Sequence, residues 1–254
     1  MPKTGPGDAS RTGATAMAAA VPALVGVVTT PEAVAAFAET APAARVVDVL
    51  EVRVDLFAEP AIASWAAAGA AVEATGTPVL VTIRLGAEGG RWTRPDAERL
   101  PLYVEALAFA SWTDVEAGSP LAREVAALTR ARGGTSVISH HDFARTPPPA
   151  ELERLLAACR AAGADVPKLA TKVNTEEDRV ALLALAAAHA GRACVIGMGP
   201  GELRVELPAR GSRLAYGWVD APTAPGQLSA ADMDARLRAA VPAYAARRAQ
   251  PVSA

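Results

Sequence analysis

Lysine is rare in this chain, and arginine carries nearly all of its positive charge. Among 25 basic residues only three are lysines: Lys3, Lys168 and Lys172. A primary amine offers what a guanidinium cannot. It can lose its proton near neutral pH, attack a carbonyl carbon and form an imine. Lys168 stands in Val166-Pro167-Lys168-Leu169-Ala170, an apolar, strand-like run where a charge is costly to bury. An apolar surround and neighbouring cations both favour the neutral amine that imine formation needs. The competing account is chance survival of a few lysines in an arginine- and alanine-rich chain. Lys3 falls in a polar tail. Lys172 is expected past the strand end, as a solvated rim charge before a helix at Asn174-Thr175-Glu176-Glu177.

Two of the three histidines are adjacent, in Ser139-His140-His141-Asp142-Phe143. Side chains alternate across a strand, so Ser139 and His141 share one face and His140 takes the other. The two imidazoles therefore cannot chelate one metal, and only one should enter a site. An imidazole titrates near neutral pH and suits proton transfer; a hydrogen-bonded structural histidine is the alternative. Lys168 follows His141 by one β-α-β unit, which brings both to the same end of neighbouring strands. In Leu50-Glu51-Val52-Arg53-Val54-Asp55-Leu56, the charged Glu51, Arg53 and Asp55 share a face expected to point inward. Leu50, Val52, Val54 and Leu56 would meet helices. Leu80, Thr82 and Arg84 share another face and lead into Gly86-Ala87-Glu88-Gly89-Gly90. That loop carries an acid and lacks the Lys-Ser/Thr of a phosphate loop, so Glu88 is its candidate functional group. Thr223-Ala224-Pro225-Gly226-Gln227 could bring amide groups to a ligand or form an ordinary turn.

The elements that must position these residues alternate regularly. Strands are expected at 23–28, 46–54, 79–84, 112–116, 135–140, 166–171, 192–197 and 213–218. Helical, alanine-rich stretches lie at 31–43, 60–75, 97–110, 119–132, 148–162 and 175–190, with a closing helix near 229–247. Such alternation implies parallel strands with crossover helices, and eight strands suit a single (β/α)8 TIM barrel over residues 20–250. A doubly wound sheet is the alternative, but no GxGxxG turn follows the first strand. Residues 1–19 read as a disordered tail, with Met17 a second candidate start. The apolar stretch from Ala16 is broken by Pro22 and reads as the approach to the first strand rather than a secretory signal.

A net charge of -2 and 4% aromatics exclude a basic or base-stacking surface for nucleic acid or anionic membrane. No run approaches the ~18 apolar residues of a membrane span. Cys159 and Cys194 form no CxxC pair and lie in no histidine cluster. They read as small buried hydrophobes in a reducing cytoplasm, with no metal site.

Taken in order, Glu51-Val-Arg53-Val-Asp55, Thr82-Ile-Arg84 with Glu88-Gly-Gly, His141-Asp-Phe-x-x-Thr-Pro, Pro167-Lys168, Gly211-Ser212 and Thr223-Ala-Pro-Gly-Gln227 resemble the type I 3-dehydroquinate dehydratase family. The resemblance spans about residues 20 to 240. It implies a (β/α)8 barrel, often a homodimer, acting in the shikimate pathway without metal or cofactor. By resemblance, Lys168 forms the imine with the C3 ketone of 3-dehydroquinate. His141 removes the C2 proton and returns a proton to the departing C1 hydroxyl, and Glu88 orients that histidine. Glu51 and Arg84 are then expected on ring hydroxyls, with Arg53 supporting them. Arg204 would take the substrate carboxylate, helped by Thr223 and Gln227; a bidentate arginine suits a planar carboxylate.

Two departures from the family pattern stand out. Gly26 occupies a first-strand position where the family often has serine. The loop Met198-Gly-Pro-Gly-Glu-Leu-Arg204 is a residue short and has Leu203 before the arginine. Two rival readings remain at this stage. One is a class I aldolase acting on a sugar phosphate, with Gly211-Ser212 as part of its phosphate site. The other is a non-catalytic ligand binder that kept the fold.

Overall fold

Runs of β-branched and apolar residues alternate with alanine-rich stretches, and each composition takes the conformation it favours. The computed structural model describes residues 21–224 and 226–250, so the tail expected at 1–19 lies outside the described residues. The strands are β1 Ala23–Val28, β2 Val49–Arg53, β3 Val79–Thr82, β4 Trp112–Glu116, β5 Thr135–Asp142, β6 Val166–Lys172, β7 Cys194–Met198 and β8 Leu214–Trp218. Helices α1 Pro31–Glu39, α2 Ala66–Ala74, α3 Arg99–Ala106, α4 Ala122–Ala131, α5 Pro149–Ala161, α6 Glu176–Ala188, α7 Leu203–Ala209 and α8 Ala230–Ala240 follow the strands in turn. The closing helix expected as one piece is two. Pro242 begins a separate α9, Pro242–Arg248, because proline has no N–H to continue α8.

Local chemistry sets several helix starts. Thr30 caps α1, its Oγ1 accepting from Ala33 N at 3.1 Å, with Pro31 in the first turn. Thr175 and Asp178 form a reciprocal capping box on α6. Ser229 caps α8.

The eight strands form one parallel sheet in the order β7-β6-β5-β4-β3-β2-β1-β8. It curls into a nearly closed barrel. The last seam, β7 against β8, has no ladder among the described residues. It is pinned at the N-terminal end, where Arg213 N–H donates to Ala193 O at 2.8 Å. There Ser212 Oγ also accepts from Val195 N at 2.9 Å and donates to Leu214 O at 3.2 Å.

Outward strand residues such as Leu24, Leu50, Val52, Val81 and Leu169 pack with the helices in one large core. Inward residues change character along the strands. The lower interior is a small apolar core of Val25, Val49, Leu80, Val137, Val166, Cys194 and Leu214, capped by Tyr216. Two residues further along most of these strands, the inward positions are Glu51, Thr82, Ser139 and Lys168, and β4 adds Asp114. The registers align them across neighbouring strands: Thr82 with Asp114, and Ser139 with Lys168. Polar chemistry is thus confined to the C-terminal mouth, where barrel sites form.

Candidate active site

A cavity of about 160 Å³ opens at this mouth, lined among others by Glu51, Arg53, Arg84, Glu88, His141, Lys168, Arg204, Thr223 and Gln227. All nine site residues anticipated from sequence therefore meet in one place. A wider groove of about 770 Å³ on the flank, over residues 57–63 and 91–94, contains none of the nine.

Lys168 is buried, and its Nζ lies 2.9 Å from Asp114 Oδ2. The other Asp114 oxygen meets Arg84 Nη2 at 2.8 Å and Ser139 Oγ at 2.6 Å. Arg84 Nη1 reaches Glu116 Oε1 at 3.2 Å and Ser139 at 2.7 Å, while Arg99 Nη1 reaches Glu116 Oε2 at 2.6 Å. Lys168, Asp114, Arg84, Glu116 and Arg99 thus form a buried chain of alternating charge. Burial alone would raise the Asp114 pKa. The charges of Arg84 and Lys168 and the Ser139 hydrogen bond overcome that and hold it well below the usual carboxylate range. Removing one member would leave a buried charge uncompensated, a loss of about 3–5 kcal/mol in such networks.

His141 Nδ1 lies 2.9 Å from Glu88 Oε2, and the same oxygen accepts the His141 backbone N–H at 3.0 Å. The ring stacks against Phe143 with centroids 6.5 Å apart. Burial, and then the charges of Arg84 and Lys168, push His141 well below its ordinary value of 6.5. Burial raises Glu88 to about 7, against the pull of Arg84 and with help from Glu116. Both shifts favour a neutral imidazole at physiological pH. With Nδ1–H directed at Glu88, Nε2 keeps its lone pair for a proton in the cavity. His140 takes the opposite face of β5, as strand parity requires, and is absent from the cavity lining.

Glu51 accepts from Thr82 Oγ1 at 2.7 Å. Arg53 is clamped by Asp55 through two contacts of 2.9 Å. Asp55 itself departs from expectation: β2 ends at Arg53, and a 3-10 turn over Val54–Leu56 carries Asp55 off the inward face. It supports Arg53 from behind and also accepts from Arg91 N at 3.1 Å. Gln227 Oε1 accepts from both Thr223 N (2.8 Å) and Thr223 Oγ1 (3.0 Å), which leaves the Gln227 amide N–H groups as donors. Arg204, at the start of α7, lines both the cavity and a crevice in the β7–β8 seam.

Three further expectations change. Gly26 faces outward, where a Cβ would lie 2.6 Å from Val47, so a longer side chain at this position would not enter the cavity. Lys172 is the last residue of β6 rather than a rim residue beyond it. Ser212 is buried at the N-terminal end of β8, the far end from the cavity, which removes it from any phosphate site at the mouth.

Sequence reading missed Asp114, Glu116, Arg99 and Tyr216. For the first two the signal was present. Asp114 and Glu116 share parity in a strand of a parallel sheet covered on both faces, where paired acids demand partners. Arg99 comes from a helix, and no strand pattern could have placed it.

Fold and site define a class first: a (β/α)8 barrel enzyme whose lysine amine and carboxylate-oriented histidine face one polar cavity. The chain belongs to the type I 3-dehydroquinase family, whose family model matches residues 25–240. It is 39% identical over 194 residues to the 3-dehydroquinate dehydratase of Methanosarcina acetivorans, covering 71% of this chain and 80% of that protein. It is 32% identical over 193 residues to that of Methanothrix thermoacetophila, covering 75% and 81%. The solved 3-dehydroquinate dehydratase of Aquifex aeolicus VF5 superposes with a TM-score of 0.72 at 25% identity, covering 85% of this chain and 98% of that one.

Proposed function

We propose that this chain dehydrates 3-dehydroquinate to 3-dehydroshikimate by syn elimination through an imine at Lys168. The observation that carries the reading is the cavity itself, where a lysine amine and a neutral, Glu88-oriented histidine face the same space. In this reading the Lys168 amine adds to the C3 carbonyl, water leaves, and a protonated imine forms. The cationic imine acidifies the C2 proton, and His141 Nε2 removes it to leave an enamine. The imidazolium then returns a proton to the C1 hydroxyl, which departs as water. Hydrolysis of the imine releases product and restores the amine.

Arg84 and Glu51 would hold ring hydroxyls. Arg53, fixed by Asp55, would support them. Arg204, with the Gln227 amide and Thr223, would take the carboxylate. Asp114 would hold the resting Lys168 in place and receive none of the substrate. The homodimer and the absence of cofactor rest on the family resemblance, and the cytoplasmic setting on the two isolated cysteines, Cys159 and Cys194.

Borohydride reduction in the presence of 3-dehydroquinate, read by mass spectrometry, should leave a substrate-sized adduct on Lys168. Lys168→Ala should lose the adduct and at least ~10³-fold in kcat. An unlabelled Lys168, or an active Lys168→Ala variant, would refute the proposal. An aldolase of sugar phosphates fits less well, because the buried Ser212 lies at the opposite end of the barrel.

A further inference from the structure

The chain has three tyrosines, and two of them satisfy their hydroxyls. Tyr103 donates to Asp114 O at 2.8 Å, and Tyr244 to Asp234 Oδ1 at 2.7 Å. Tyr216 does not: its hydroxyl oxygen is sealed from solvent and has no hydrogen-bond partner among the described residues. The residue points inward from β8, lines the substrate cavity, and presents its ring face to Lys168 Nζ, 4.4 Å from the centroid. Nearby carboxylates are already engaged, Asp114 by Lys168, Arg84 and Ser139, and Glu51 by Thr82. Burial, with Cys194, Glu51 and Asp114 nearby, raises the phenol well above its ordinary value, so it stays a neutral donor. Phenylalanine would fill the same space without an unpaired hydroxyl, and an unpaired buried group needs an explanation.

The explanation offered by the geometry is a partner that arrives with the chemistry. While Lys168 is an ammonium, it lies across the Tyr216 ring and points at Asp114. On imine formation Nζ becomes trigonal, keeps a single N–H, and is bonded to a ring carbon of the substrate. In 3-dehydroquinate the carbon on one side of that atom is a methylene, and the one on the other side bears a hydroxyl. That hydroxyl oxygen is three bonds from Nζ, and Nζ lies 4.4 Å from the centre of the Tyr216 ring, so an imine at Lys168 puts it within reach of a phenol oxygen that the arriving substrate uncovers. We propose that the Tyr216 hydroxyl hydrogen-bonds the substrate hydroxyl next to the imine carbon, and that it does so in the covalent intermediate rather than with free substrate. The inference rests on the dehydratase reading and adds to it a contact specific to the intermediate.

An interaction made past the free-substrate complex and kept in the rate-limiting transition state lowers kcat and kcat/KM together when removed. Tyr216→Phe should therefore lower kcat at least fivefold with KM within twofold of wild type. The borohydride adduct on Lys168 should still form. The variant should melt at the wild-type temperature or above it, because it loses a buried hydroxyl that has no partner. A crystal structure of the reduced wild-type adduct should bring the phenol oxygen within hydrogen-bond distance of the adjacent substrate hydroxyl.

A kcat within twofold of wild type, a raised KM with unchanged kcat, a lowered melting temperature, or a phenol with no substrate contact in the adduct would each overturn the inference. Wild-type protein that does not dehydrate 3-dehydroquinate sinks the dehydratase reading. An active wild type with a silent Tyr216→Phe sinks only this one.

Discussion

The pair His141 and Glu88 is where charge, burial and reactivity meet most closely. Their 2.9 Å contact makes them one titrating unit, so a measured pKa belongs to the pair. Glu88 rises from 4.5 to about 7 because it is buried, while His141 is already neutral well below 6.5. The active form has Glu88 ionised and His141 neutral, so kcat/KM should fall as pH drops below about 7. Glu88→Gln should move that acidic limb to lower pH, onto His141, and lower kcat at its plateau. A limb that stays near neutrality in the variant would assign it to another group. Stability carries the same signature. A carboxyl whose folded pKa is raised supports folding below its unfolded pKa and loses that support as pH climbs to the folded one. For Glu88 this window runs from about 4.5 to about 7. Across it Glu88→Gln should gain on wild type, by roughly 1–3 kcal/mol in denaturant titrations at the two ends.

Element ends, more than element identities, decide whether these residues meet. The turn after β3 carries Glu88 into the site, and it folds back tightly on its own strand. Gly90 N–H donates to Leu85 O at 2.9 Å and Trp92 N–H to Arg84 O at 3.1 Å. A Cβ on Gly90 would sit 2.0 Å from Arg84 O, so no side chain fits without displacing the backbone of Arg84. Gly90→Ala should therefore disturb Arg84 and Glu88 together, costing about 1–3 kcal/mol of stability. A shift near 1 Å in positioned groups costs about 10²-fold in rate. The variant should show a native circular dichroism spectrum with kcat/KM down by about that factor, and near-wild-type activity would mean the loop absorbs the strain.

Strand existence and facing were legible in the sequence because alternation in a parallel sheet is strict: Glu51, Arg84, His141 and Lys168 all point where parity put them. Strand ends were not, because they depend on the neighbouring strand. β5 runs on to Asp142 through its pairing with Thr171 of β6, whereas β2 stops at Arg53, where Val54–Leu56 turns. Asp114 was overlooked for a related reason. Its parity was readable, but its partners come from three separate places, Lys168 from β6, Ser139 from β5 and Arg84 from just past the end of β3.

Among the described residues the barrel is closed by ladders at every seam but one, and that seam shapes the carboxylate end of the site. Between β7 and β8 the strands part above their N-terminal ends. Arg204 of α7 lines the crevice they leave as well as the substrate cavity, alongside Tyr216. A complete ladder would occupy this crevice, so the gap is what lets a helix residue reach the interior. Its cost is that the seam depends on few bonds, and Ser212 supplies one of them, from Val195 N, while its own hydroxyl donates back to Leu214 O on its own side of the seam. Ser212→Ala would leave the buried Val195 N–H unpaired, a loss of about 1–2 kcal/mol. For a domain of this size that lowers the melting temperature by about 2–8 °C. The looser seam should also raise KM for 3-dehydroquinate, because α7 and Arg204 ride on β7, while the reactive groups on β3, β5 and β6 keep their ladders and kcat changes little. Calorimetry and steady-state kinetics on the one variant separate the outcomes. A lowered melting temperature with a raised KM and near-wild-type kcat supports a seam that positions Arg204. An unchanged melting temperature would show that Ser212 does not hold the seam, and a loss confined to kcat would place its influence on the chemistry instead.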